Sequence, residues 1–144
     1  MSRARATYSV YNCTRGVYLA ERAAAAETYA TRLRGLLGKE ELKPGEGLLI
    51  RPCSCIHMWG MRFAIDAVYV SRQNRVLACI SQLKPWRLGP YVRGADWVLE
   101  LPAGRLEATH TMGGDLLSVT EERREKREAG REGKGKEAGL KQDR

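Results

Sequence analysis

The sequence lacks the long apolar segments of membrane and exported proteins. No apolar run approaches the about 20 residues that a helix needs to span a bilayer. Asn12, Thr14 and Arg15 interrupt the region in which a signal peptide would need its apolar stretch. We therefore expect a cytoplasmic protein with no membrane partner. Disulfides are rare in that compartment, so the four cysteines are expected to be reduced thiols.

Standard catalytic motifs are also absent. The chain contains neither a Gly-x-Ser-x-Gly nucleophile elbow nor a His-Glu-x-x-His metal helix. Gly113, Gly114 and Asp115 form a turn signal rather than a phosphate-binding loop, because neither a predicted helix nor a Lys-Ser or Lys-Thr pair follows them. These absences favour a protein that is not an enzyme, and nothing in the sequence calls for a cofactor.

The 144 residues and their net charge of +8 suggest one domain with a charged tail. Residues 121–144 carry nine basic and seven acidic side chains and almost no apolar ones, so they cannot offset the entropy of ordering. We predict a single β-rich globular domain over residues 1–120 and a disordered tail over residues 121–144. The domain has a net charge of +6, which favours acidic partners without choosing among them.

Most of the chain is predicted to form short strands. The one predicted helix covers residues 21–37, where Tyr29, Leu33, Leu36 and Leu37 recur at helical spacing. The fold class is therefore mainly β, a small barrel or jelly-roll-like sandwich of short strands with one helix near the N-terminus. The predicted strands are residues 7–12, 17–20, 48–50, 53–59, 63–70, 76–83, 96–101 and 116–119.

Six short blocks of sequence carry a family resemblance. They are residues 32–38 (RLRGLLG), 45–49 (GEGLL), 84–87 (KPWR), 98–104 (VLELPAG) and 114–115 (GD), with a central motif of Cys53, His57, Met61-Arg62-Phe63 and Ile65-Asp66. In this order they resemble the family named domain of unknown function 192. The resemblance implies a compact β-barrel or jelly-roll-like fold and no known activity. Cys55, Gly60 and His110 depart from the pattern.

Asp66 is the most informative candidate site residue. Its predicted strand is apolar on both faces, so the carboxylate is expected to be buried and to need a partner. Arg62 and Arg87 could pair with it, or the carboxylate could accept hydrogen bonds from the backbone amides of a loop. The functional alternative is a general acid or base with a perturbed pKa.

His57 and Glu100 have both structural and functional interpretations. His57 is one of two histidines, and it is either a hydrogen-bonded structural residue or part of a site with Arg62 and Asp66. Glu100 is expected to be a solvated residue on a half-exposed strand. If that strand lines a groove, Glu100 instead joins Asp66 as a pair of carboxylates.

Two further motifs contain residues that could bind a ligand. Cys53, Cys55 and His57 could begin a zinc site, but their strand spacing suits a tetrahedral site poorly, so we expect no metal. Trp86, between Lys84 and Arg87, could stack on a base, a sugar ring or a phosphate-bearing ligand. The favoured alternative is that Trp86 pins its loop to the domain, with Trp59 and Trp97 in the core.

Three functions fit these observations. The preferred one is a non-enzymatic binding or accessory module for a small polar or acidic ligand. The second is an enzyme with Asp66 or Glu100 as acid or base and His57 in support. The third is an accessory protein that contacts nucleic acid weakly and without sequence preference. The candidate ligand-binding residues are His57, Arg62, Asp66, Trp86, Arg87 and Glu100.

Deleting residues 121–144 is expected to leave the thermal midpoint of unfolding nearly unchanged, because the deletion removes almost no apolar surface. Differential scanning calorimetry of the full and shortened chains measures this. A shortened chain that no longer unfolds cooperatively would show that the tail packs on the domain.

Overall fold

The computed structural model describes residues 6–26 and 41–122, which form one sheet of seven strands and one short helix. The helix, α1, is Arg105–Thr109. None of the helical structure in these two ranges is long and apolar enough to cross a membrane. The strands are β1 (Thr7–Asn12), β2 (Val17–Ala26), β3 (Glu46–Ile50), β4 (Ile65–Ser71), β5 (Val76–Leu83), β6 (Ala95–Pro102) and β7 (Leu117–Glu122).

The sheet order is β5-β4-β6-β3-β2-β1-β7, with β2 and β3 parallel and every other neighbouring pair antiparallel. The central strands are apolar on both faces, and all seven residues of β4 are buried. Val68, Leu99 and Leu101 belong to the core on one face, whereas Tyr69 and Val98 belong to the core on the other. Burial on both sides explains why β4 is a nearly continuous apolar run.

The prediction of a mainly β fold is confirmed, but the barrel is not. The sheet is open, and its edge strands β5 and β7 approach each other at one end through a bridge between Arg75 and Leu116. Beside this bridge, the Val76 N–H donates to the Asp115 carbonyl over 2.8 Å. The expectation of a closed barrel or a two-sheet sandwich is therefore corrected to one open sheet.

The helix predicted near the N-terminus is also corrected. Residues 21–26 belong to β2, and residues 27–37 of the predicted helix lie outside the described ranges. The helix that the structure describes is α1, toward the C-terminal end of the domain. Alanine favours helices locally, but pairing of β2 with β1 and β3 overrides that preference.

Small side chains let β2, β3 and β6 approach closely. A Cβ built on Gly47 would lie 3.2 Å from the Ala20 Cβ and 3.1 Å from the Glu100 carbonyl oxygen. Ala20, Ala23 and Ala26 are themselves buried. The alanine-rich composition that predicts a helix thus serves close strand packing here.

Strand β7 continues through Glu122, two residues past position 120, at which the sequence analysis placed the end of the domain. Glu121 and Glu122 pair with Tyr8 and Thr7 of β1. The rest of the predicted tail lies outside the described residues. A truncation that starts at residue 123 leaves β7 whole and is therefore the cleaner test of the tail.

A buried polar network fastens the β1–β2 turn to the segment before β7. The amide of Asn12 donates to Asp115 Oδ2 and to Thr111 Oγ1, each over 3.0 Å. Arg15 donates to both Asp115 oxygens, over 3.0 and 3.2 Å. Burial raises the pKa of Asp115, but hydrogen bonds from Arg15, Asn12 and the Met112 N–H outweigh it and hold the pKa below its ordinary value of 3.8.

Asp115→Asn is expected to lower the free energy of unfolding by about 1–3 kcal/mol near neutral pH, because it removes charge-assisted hydrogen bonds. The carboxylate stabilises the fold above its ordinary pKa of 3.8, and this contribution is lost as the pH falls through the lowered value. Urea titrations at several pH values measure the difference in the free energy of unfolding between wild type and variant. This difference should become smaller in acid. A difference of equal size at roughly pH 3 and pH 7 would contradict this account.

Candidate functional site

Two loop segments pair with each other. They are residues 53–62 and residues 84–93. We call them the paired loops. The Met58 N–H donates to the Arg87 carbonyl, and the Gly89 N–H donates to the Ile56 carbonyl, both over 2.8 Å. The strand predicted over residues 53–59 is wrong, since this segment forms only an isolated bridge between His57 and Leu88. Pro85 and Pro90 supply no N–H groups, so a regular ladder cannot form between the two segments.

Gly89 allows the paired loops to sit directly on β4. A Cβ at this position would lie 2.8 Å from the Tyr69 hydroxyl oxygen and 3.0 Å from the Ile56 carbonyl oxygen. Tyr69 is fully buried in the centre of β4. Any side chain at position 89 would therefore push the loops away from the sheet.

Three rings lie side by side on the outer surface of the paired loops. The ring centroids of His57 and Trp59 are 6.0 Å apart with planes 20° apart, and those of Trp59 and Trp86 are 6.3 Å apart. The backbone N–H of Trp59 donates to His57 Nδ1 over 3.3 Å. Because Nδ1 accepts this bond, a neutral imidazole carries its proton on Nε2. His57 therefore holds the loop and also forms one end of the row of rings.

The two tryptophans of this row are exposed, contrary to the sequence-based expectation for both. Trp59 is 45% exposed and Trp86 is 65% exposed. Neither is in the core, and Trp86 does not pin its loop to the domain. Trp97 is buried as expected.

The paired loops that carry the rings also carry positive charge. Arg62, Lys84, Arg87 and Arg93 are all exposed, and the paired loops contain no aspartate or glutamate. We call the set of His57, Trp59, Trp86, Arg62, Lys84 and Arg87 the aromatic–cation surface. It combines faces that can stack with charges that attract anions.

Asp66 is fully buried, as predicted, but its partners are backbone amides rather than arginines. Its Oδ1 accepts from the Gln82 N–H over 2.8 Å. Its Oδ2 accepts from the N–H groups of Gly104 and Leu106, over 3.1 and 2.8 Å. Among the alternatives weighed, the carboxylate that caps a loop is confirmed.

The local backbone is shaped to make these bonds. The pairing of β5 with β4 shifts by one residue opposite Asp66, and Gln82 has a positive φ of 53° that turns its N–H inward. Gly104 has a φ of 97° at the start of α1, and Asp66 satisfies the first amides of that helix. One side chain thus joins β4, β5 and α1.

Glu100 does not join Asp66 in a shared cleft. In the register of β4 and β6, Asp66 lies opposite Leu101 and Glu100 lies opposite Ala67. Because neighbouring positions of a strand point to opposite faces, the two carboxylates lie on opposite sides of the sheet. Glu100 is fully buried, so the expectation of a solvated residue on a half-exposed strand is wrong.

The cysteines near the site are free thiols that bind backbone oxygens. Cys53 Sγ donates to the Cys55 carbonyl over 3.3 Å, and Cys55 Sγ donates to the Gly89 carbonyl over 3.5 Å. Over residues 6–26 and 41–122, no three His, Cys, Asp or Glu side chains gather as metal ligands. Burial, and then the charges of Asp115 and Asp66, raise the pKa of Cys79 to about 11, so this thiol is neutral at physiological pH.

The structure therefore places four of the six predicted site residues, His57, Arg62, Trp86 and Arg87, on the paired loops, whereas Asp66 and Glu100 are buried within β4 and β6. Trp59 was not predicted as a site residue. The available signal was Gly60 directly after the predicted strand 53–59, because a glycine at such a place often marks a bulge or the end of regular pairing.

Comparison with known proteins identifies relatives of the whole domain. Residues 10–119 match the family DUF192, described as Uncharacterized ACR. A UPF0127 protein of Thermococcus kodakarensis is 29% identical over 81% of this chain and 77% of its own length. A UPF0127 protein of Pyrococcus furiosus is 30% identical over 74% of this chain and 93% of its own. A solved structure of a protein of unknown function from Novosphingobium aromaticivorans covers 78% of this chain and 83% of its own, with a TM-score of 0.67 and 23% identity, so it shares the fold.

Asp66→Asn is expected to lower the free energy of unfolding by at least about 2 kcal/mol, because an amide cannot accept all three backbone N–H groups and leaves a buried donor unsatisfied. Asp96→Asn is the control. Asp96 forms a partly exposed pair with Arg51, so its loss should cost less than about 1 kcal/mol.

Urea denaturation monitored by circular dichroism measures both variants. A midpoint of Asp66→Asn equal to or above that of wild type would overturn the structural role of Asp66.

Proposed function

The chain belongs to the DUF192 family, whose members are described as uncharacterized, and from its structure we propose a non-enzymatic binding module. The aromatic–cation surface holds a small acidic ligand that also has a planar ring. The observation that carries this proposal is the exposure of Trp59 and Trp86 beside one another on loops that carry cations and no carboxylate.

Single exposed apolar side chains are common on protein surfaces, but a cluster of them on one pair of loops is informative. Leu88 and Tyr91 lie on the same loops, and both are also highly exposed. A group of exposed apolar side chains rimmed by charge is typical of a binding surface. The rings would stack on a planar ligand, while Arg62, Lys84 and Arg87 would neutralise its acidic group.

The backbone holds this surface in place before any ligand arrives. Trp86 has a positive φ of 64°, a conformation that a bulky residue rarely adopts. The Trp86 N–H donates to the Met58 carbonyl over 2.8 Å, which fixes the residue in that conformation. Strained backbone of this kind concentrates at ligand sites, and a preorganised surface loses less entropy on binding.

The carboxylates do not favour the enzymatic alternative. Both oxygens of Asp66 are occupied by backbone amides, and the side chain is inaccessible to solvent. Glu100 is equally buried on the other face of the sheet. A general acid or base must reach the proton that it transfers, and both of these side chains are fully buried.

Titration of the full chain with adenosine monophosphate tests the proposal, since this probe combines a planar ring with an acidic group. Adenosine lacks the charge and inorganic phosphate lacks the ring, so both should bind more weakly. Because Trp59 and Trp86 are exposed, quenching of tryptophan fluorescence reports binding at these rings.

Trp86→Ala is expected to raise the Kd for adenosine monophosphate by about 5- to 100-fold, from the loss of one stacking face. Tyr18→Ala is the matched control, because Tyr18 is an exposed aromatic residue on β2 away from the paired loops. Arg87→Gln should weaken binding severalfold and reduce its dependence on salt.

Equal loss of affinity in the Trp86 and Tyr18 variants would contradict the proposal. A single-stranded oligonucleotide that binds far more tightly than the mononucleotide, with steep salt dependence, would instead support nucleic-acid binding.

A further inference from the structure

A concave site is lined by residues outside the paired loops. It is a cavity of about 420 Å³ within the range of small-molecule pockets, and none of its lining residues belongs to the aromatic–cation surface. Its apolar lining includes Tyr8, Leu49, Trp97 and Val119, and its charged lining includes Arg72 and Glu121.

The apolar lining is built on the strands themselves. Trp97 and Leu49 are buried members of one hydrophobic core, and Tyr8 and Val119 pack against that core. These residues come from β6, β3, β1 and β7, so the lining is held by hydrogen-bonded strands rather than by a loop. The cavity is therefore a preformed recess with a mixed polar and apolar lining, in which Tyr8 and Val119 are half-buried apolar side chains.

The charged side chains at this cavity are not all used within the protein. Arg51 also lines it, but both its Nε and its Nη2 contact Asp96 Oδ2, over 2.8 and 2.6 Å. Arg72 and Glu121 form no ion pair with each other or with any other residue of the ranges 6–26 and 41–122. One cation and one anion are thus available at this recess.

We propose that this cavity binds a small zwitterion with an apolar body, of the class of an apolar α-amino acid. The carboxylate of the ligand pairs with the Arg72 guanidinium, and its ammonium group pairs with the Glu121 carboxylate. The apolar side chain of the ligand packs against Tyr8 and Val119, two half-buried apolar side chains of the lining. A simple anion fits less well, because Glu121 would repel it, and a simple cation would be repelled by Arg72.

The preference for both charges gives the proposal its test. The full chain is titrated with L-phenylalanine, with 3-phenylpropionate, which lacks the ammonium group, with phenethylamine, which lacks the carboxylate, and with glycine, which lacks the apolar body. Isothermal calorimetry or chemical shifts of the Trp97 indole measure binding. L-Phenylalanine should bind at least about tenfold more tightly than each of the other three probes.

Single substitutions at the exposed charges separate the two pairings. Arg72→Gln should lower the affinity for L-phenylalanine by about tenfold or more, so that L-phenylalanine no longer binds more tightly than phenethylamine. Glu121→Gln should also lower the affinity for L-phenylalanine, so that it no longer binds more tightly than 3-phenylpropionate. Arg87→Gln is the control, because Arg87 belongs to the aromatic–cation surface and does not line the cavity.

Three results would overturn the proposal. They are the absence of L-phenylalanine binding at roughly 10 mM, equal affinity for L-phenylalanine and 3-phenylpropionate in wild type, and an unchanged affinity in Arg72→Gln. None of them bears on the aromatic–cation surface, whose test uses different probes and different variants.

Discussion

The buried carboxylate of Asp66 is the interaction on which the arrangement of the domain depends. A charge without access to water is tolerated only when hydrogen bonds replace the water, and here three backbone N–H groups do so. Those amides come from β5 and from the start of α1, so a single side chain on the central strand fixes the path of two later parts of the chain. The shifted pairing in β5 and the positive φ of Gly104 are the backbone adjustments that this carboxylate requires.

Burial of the sheet on both faces determines where function can lie. The side chains of β4 and of the centre of β6 are covered, so these residues offer no reactive group to solvent. Accessible chemistry is left to the loops at the ends of the strands and to the places where the sheet is incompletely covered. The aromatic–cation surface is an example of the first and the cavity beside Trp97 is an example of the second. This division is common where a rigid scaffold supports variable binding residues.

The sequence predicted the features that depend on local pattern. Strands β1 and β5 match their predicted bounds residue for residue, and the burial of Asp66 followed from the apolar residues on both sides of it. Features set by distant parts of the chain could not be predicted this way. The alanines of β2 favour a helix until pairing with β1 and β3 is known, and the burial of Glu100 depends on β6 lying between β4 and β3. The exposure of Trp59 follows from the pairing of two loops about 30 residues apart, which no local periodicity reports.

The contact between Gly89 and the Tyr69 hydroxyl constrains how this domain can diversify. Since no side chain fits at position 89, the distance between the paired loops and the sheet depends on the absence of a Cβ at this residue. Residues on the outer side of the same loops meet no such limit, because they face solvent. A lineage could therefore exchange the exposed rings and cations for other side chains while the spacing between loop and strand stayed the same. A larger residue at position 89 would instead mark a relative in which the loops have separated from the sheet and the row of rings is no longer assembled.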